Sequence, residues 1–146
     1  MSGSRAAARL AAVQALYQQD MEATPTAQVL HEFHQHRLGA TIEGATYAAA
    51  DVDFFNDIVK GSNGRADEID AAIEARLAKG WSLVRVDRPM RAIFRACTYE
   101  LLARPDIPLA SAISAYLDVA DAFYDRKEKG FVNGVLDAVA KDLRGS

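Results

Sequence analysis

The feature that most constrains this chain is the spacing of its apolar residues, which recur at steps of three and four almost from end to end. That is the period of a helix with one buried face, whereas a half-buried strand alternates. Leu10, Val13, Leu16, Tyr17 and Met21 predict a first helix over about residues 5–21. Thr24-Pro25-Thr26 ends it and starts a second helix carrying Val29, Leu30, Phe33 and Leu38. Residues 39–50 show no stripe and read as a loop. Asp51 or Asp53 caps a third helix with Phe54, Phe55, Ile58 and Val59, closed by Gly61. A fourth spans about 64–79, with Ile69, Ile73 and Leu77 in register, and Gly80 stops it. After an apolar connector at 81–84, Asp87 caps the fifth helix and Pro89 suits its first turn. Met90, Ile93, Phe94, Cys97 and Leu101 are its stripe. The prolines of Arg104-Pro105-Asp106-Ile107-Pro108 disfavour helix in the residues before them, making a stiff turn. A sixth helix carries Ile113, Leu117, Ala120 and Tyr124, and a seventh Phe131, Val132, Val135, Leu136, Val139 and Leu143. No alternating β-branched run stands out, so the reading is all-α, with about seven helices.

A chain of 146 residues, half of them hydrophobic, is long enough to bury a core as a single domain over 1–146. One cysteine excludes an intrachain disulfide framework, and no Cys/His spacing matches a zinc site. The apolar runs are broken by charges, so no transmembrane helix is predicted, and the N-terminus lacks the apolar segment of a secretory signal. A soluble, cytoplasmic protein is expected. The formal charge of −3 argues against promiscuous nucleic-acid binding. Its distribution is uneven, however. Residues 1–20 carry +1, 21–75 carry −7, 76–95 carry +5 and 96–146 carry −2. The basic segment is either a solvated, internally paired face or a local phosphate-binding patch.

No residue set reads as catalytic. His31 and His34 lie three apart and His36 follows, but a solvated helix face explains them better than a metal site. Cys97 sits within an apolar stripe, as a buried hydrophobe does. Gly61-Ser62-Asn63-Gly64-Arg65 lacks the Gly-Lys-Ser/Thr ending of a phosphate loop, and no strand precedes it. No enzyme activity, cofactor or metal is expected.

Three segments carry a family resemblance: the run from Arg9 to Gln18, the run from Asp87 to Arg95 leading into Tyr99-Glu100-Leu101 and Asp106-Ile107-Pro108, and Gly130-Phe131-Val132-Asn133-Gly134-Val135-Leu136-Asp137. Their order and spacing resemble the NusB family of transcription antitermination factors. The likeness implies two packed helical subdomains. It also implies binding to the boxA element of ribosomal RNA transcripts together with NusE, a small-subunit ribosomal protein. Other Nus factors and RNA polymerase would then be indirect partners, with processive transcription and ribosomal RNA maturation as the outcome. Some members self-associate, so a homodimer is a further expectation.

Carried over by position, Arg5 and Arg9 are expected on RNA phosphates, Gln14 on a base edge and Tyr17 in a stack. Tyr17 also belongs to the first apolar stripe, where it serves equally well as core. Phe131, beside Arg126, Lys127 and Lys129, is placed to stack a base while the cations hold its phosphate. Phe123 matches another aromatic near the RNA. Packing at a helix start or in the core is the competing role for both rings. Arg88, Arg91 and Arg95 share one face of the fifth helix, suited to internal acidic partners or to NusE, whose surface is expected in this middle region. The chain departs from the family pattern at Ala6-Ala7-Ala8, at Ser114-Ala115-Tyr116 and at Gly130. The first and last departures remove charge from the expected RNA side, and the middle one puts in doubt any contact that needed an amide or carboxylate there. Two other readings compete: a helical protein–protein adaptor, and the NusB-like domain of a ribosomal RNA methyltransferase, which would need a glycine-rich cofactor domain after Ser146.

Overall fold

Short polar side chains set where most of the helices begin. In the computed structural model, which describes residues 4–36, 41–42, 45–46 and 51–145, Ser4 Oγ accepts from the Ala7 N–H and opens α1 (Arg5–Glu22). Helix α2 (Thr26–His36) follows. A two-residue antiparallel ladder then pairs Thr41 with Thr46 and Ile42 with Ala45. Asp51 caps α3 (Val52–Gly64) and Asp87 caps α5 (Arg88–Ala103), which has proline in its first turn. Asp125 and Glu128 close a reciprocal capping box on α7 (Arg126–Arg144). Helices α4 (Ala66–Glu74) and α6 (Leu109–Ala120) complete the all-α fold, with seven α-helices among the described residues.

Three boundaries differ from expectation, each because a distant residue intervenes. Helix α3 runs through Gly61, which faces the Tyr99 ring; a Cβ there would lie 2.1 Å from a ring carbon. That glycine is a packing gap and not a stop. Helix α4 ends at Glu74, well short of Lys79, and the Glu74 carboxylate accepts from the Leu83 N–H at 2.8 Å, tying down the 3-10 turn Leu83–Arg85. Helix α6 ends at Ala120. Tyr124 leaves the helix, and its hydroxyl donates to the Asp87 carboxylate that also caps α5. Leu38, assigned to the second helix from sequence, lies outside the described residues.

Helices α1–α3 form one group and α4–α7 the other. Helix α5 lies between them, packing on α1, α3, α4, α6 and α7. Helix α1 presents Ala8, Ala11, Ala12 and Ala15 to the interior, small side chains that let its backbone approach its neighbours. Phe33, Phe55, Ile58, Ile73, Phe94, Tyr116 and Leu136 belong to one continuous core. Among the described residues, no helix is long and apolar enough to cross a membrane.

Candidate nucleic-acid interface

An α-helix turns about 100° per residue, so Gln14 projects about opposite Arg5 on α1, while Arg9 returns to within about 40° of it. The α1 residues predicted from sequence therefore serve two faces. Arg9 belongs to the interior. Its Nη2 donates to Glu100 Oε1 at 2.9 Å and its Nε to Oε2 at 3.0 Å, while the Tyr116 hydroxyl donates to the same Oε2. Glu100 and Tyr116 are fully buried and Arg9 nearly so. Arg9, expected from the resemblance on RNA phosphates, thus has its guanidinium engaged by a fully buried carboxylate. Arg5 is exposed, and its guanidinium stands 4.7 Å above the Phe54 ring, with Arg9 at 5.1 Å and Arg104 at 5.3 Å from the same ring.

The opposite face of α1 does assemble predicted residues. Gln14 and Tyr17 line a depression of about 350 Å³ with Phe123, which comes from the turn after α6 and is 41% exposed. Gln18, Met21, Glu22 and Phe33 complete it. Tyr17 is half-buried against the core and forms one wall of the depression.

Phe131 lies elsewhere. It is 46% exposed, its ring meets Phe94 edge-on at 6.1 Å, and it lines a larger groove of about 490 Å³ with Leu77, Trp81, Arg85, Val86 and Met90. Tyr124 stands between the two depressions, its ring against Phe123 and its hydroxyl on Asp87 at the edge of the groove. Burial and that hydrogen bond raise its pKa above the ordinary phenol value. Lys127 is exposed and makes no ion pair among the described residues, whereas Lys129 is paired with Asp121.

Four of the six cations in the basic segment 76–95 face carboxylates from outside it. Arg76 pairs with Asp142, Arg95 with Asp70, and Arg88, Arg91 and Arg95 converge on Asp20. The acceptor shared by Arg88, Arg91 and Arg95 is Asp20, which lies on α1 just before the acidic segment. Lys79 and Arg85 make no ion pair among the described residues. Sequence reasoning also passed over Trp81, read as an apolar connector yet 52% exposed beside the groove, and Val84, more exposed still. A tryptophan between a glycine stop and a helix cap was the available signal. His34 Nε2 lies 2.6 Å from Asn56 Oδ1 and the ring leans on Phe55, while the side chain of His36 lies outside the described residues. Cys97 is completely buried, which pushes its thiol pKa well up.

The profile of the NusB family matches residues 6–141. The chain is 67% identical over 141 residues to the transcription antitermination protein NusB of Sphingopyxis alaskensis, covering 97% of this chain and 95% of that one. Among solved structures, Thermotoga maritima NusB superposes with a TM-score of 0.80 at 29% identity, covering 97% of this chain and 94% of that one. A NusB solved with NusE in complex with dsRNA shares the fold, with a TM-score of 0.75 at 23% identity, covering 94% of this chain and 96% of that one. With its motifs, its seven-helix fold and these relatives in agreement, the chain belongs to the NusB family of transcription antitermination proteins.

Proposed function

We propose that this chain acts as one domain that binds the boxA element of ribosomal RNA transcripts together with NusE. It thereby supports processive transcription and ribosomal RNA maturation in the cytoplasm. The observation that carries this reading is the depression formed by Gln14, Tyr17 and Phe123, in which residues from α1 and from the turn after α6 converge on an open cleft. An amide that can pair with a base edge beside two aromatic rings suits an unstacked base of single-stranded RNA. Lys127, a few residues after Phe123, is an exposed cation for the flanking backbone, whereas Arg5 stands on the other face of α1. The groove at Trp81 and Phe131 is the surface we assign to NusE, because its apolar lining and exposed tryptophan fit a protein anchor better than a phosphate track. The NusB relative solved with NusE and dsRNA supports both partners.

A gel-shift titration of boxA and scrambled RNA, with and without NusE and across salt concentrations, tests the proposal. The chain alone should bind weakly and NusE should tighten binding to boxA selectively. Phe123→Ala should weaken boxA binding with the fold intact, whereas Trp81→Ala should weaken NusE binding. A NusE complex with no preference for boxA over scrambled RNA would leave a helical adaptor and defeat the RNA reading.

A further inference from the structure

Three arginines on one face of α5 point at a single carboxylate, and their geometry differs from every bidentate pair in the molecule. Asp20 lies 3.4 Å from Arg91 Nη1, 3.7 Å from Arg95 Nη1 and 3.9 Å from Arg88 Nε. Charge-assisted hydrogen bonds are about 2.7–2.9 Å long. Arg95 shows the contrast within one side chain, because it grips Asp70 bidentately at 2.9 and 3.1 Å while only approaching Asp20. Asp20 Oδ2 and Arg91 Nε are both buried without a hydrogen-bond partner. Three guanidiniums against Asp20 and Asp70 leave one positive charge in excess.

We propose that Arg88 and Arg91, backed by Arg95, form a subsite for a phosphate of the RNA backbone, whose place Asp20 holds in the unbound protein. The inference rests on the RNA-binding reading above and extends it. A phosphate has more oxygens and a wider reach than a carboxylate, so it can meet donors that Asp20 leaves unmet. The location fits. Asp20 follows Tyr17 by one helical turn, and Arg88 adjoins Asp87, on which Tyr124 rests beside Phe123. The cradle therefore lies one helical turn along α1 from the depression that holds Gln14, Tyr17 and Phe123. Arg88 is half exposed and supplies the entrance. Asp20 also has somewhere to go. It borders a cleft of about 230 Å³, and the Ser62 hydroxyl lining that cleft is buried with no partner, a donor ready to receive the displaced carboxylate.

The test is boxA RNA titration at several salt concentrations with substituted full-length chains. Asp20→Asn should tighten binding and steepen the log-affinity against log-salt slope by about 0.7, the value of one further phosphate contact on a single strand. Adding Arg88→Ala should remove both gains, and Ser62→Ala should weaken binding by denying Asp20 its second position. Asp67→Asn, the same charge change on exposed α4, should leave the slope unchanged. Inorganic phosphate at constant ionic strength should erase the Asp20→Asn gain. A folded Asp20→Asn protein with unchanged affinity and slope overturns the proposal. So does a gain that survives Arg88→Ala, an equal gain from Asp67→Asn, or a shift confined to NusE affinity. If Asp20→Asn does not fold, Arg88→Ala alone decides: a slope flattened by about 0.7 supports the cradle and an unchanged slope overturns it. Binding of inorganic phosphate through Arg88 with no effect on RNA would assign the site to free phosphate and overturn the RNA assignment. Failure of the underlying reading looks different: the unsubstituted chain with NusE would then show no boxA preference at all.

Discussion

Two arginine–carboxylate clusters join α1 to α5, one near each end of α1, and they are built to opposite standards. At the Arg9 end the carboxylate of Glu100 is fully buried, both its oxygens accept from the guanidinium, and Tyr116 supplies a third donor. At the Asp20 end three guanidiniums gather round one carboxylate without closing a hydrogen bond to it. The same residue types thus do architectural work in one place and remain available in the other. What separates them is desolvation together with geometry. A buried charge is tolerated only when its hydrogen-bonding capacity is filled, whereas a partly solvated one can stay underused and wait for a ligand.

The largest effect should come from breaking the filled cluster. Glu100→Ala leaves Arg9 buried without its counter-charge, and chemical denaturation should show a loss of about 3–5 kcal/mol. Arg9→Ala strikes the same network, so its effect on RNA binding carries meaning only alongside a measured stability. Arg144 is a third kind of arginine, donating to the carbonyls of Glu100, Leu101, Arg104 and Ile107 where α5 ends and the next turn begins. Its replacement by alanine should cost about 1.5–3 kcal/mol by the same measurement. Alkaline pH attacks the α3–α5 junction. Burial, and a hydrogen bond to Asp57, push the Tyr99 phenol from 10 up to about 12. The folded state therefore holds that proton more tightly than the unfolded chain. The stabilisation is whole below pH 10 and is lost as pH rises through about 12, which tyrosinate absorbance beside a helicity signal will follow; Tyr99→Phe should flatten that loss. The smallest effect belongs to the open cluster: Asp20→Asn should change stability by about 1 kcal/mol or less, as weakly engaged ion pairs do. A loss there as large as that from Glu100→Ala would erase the contrast between the clusters.

The helices were legible because their causes are local. Ser4, Asp51, Asp87 and Asp125 stand within a turn of the N–H groups they cap, and the stripes of α5 and α7 hold their buried residues at the expected spacing. Errors arose where a residue far along the chain intervened. Gly61 is glycine because of Tyr99, and Tyr124 leaves α6 because Asp87 accepts its hydroxyl. The candidate interface was legible only in part. Gln14, Tyr17 and Phe123 do meet, but Phe131 opens onto a different groove with Trp81, and Arg9 faces the interior.

By itself the sequence determined the all-α class, the order of the helices and, through three motifs, the NusB family, because apolar period, capping chemistry and residue order are properties of neighbours along the chain. It also settled that the charge is divided into blocks. Only the tertiary structure decided which charges are spent. Arg9, Arg76 and Arg95 are cations like Arg5 and Lys127 in the sequence, and what distinguishes them is a carboxylate brought into hydrogen-bonding reach by folding. An ion pair depends on separation and on the surrounding dielectric, and the chain sets neither until its helices pack.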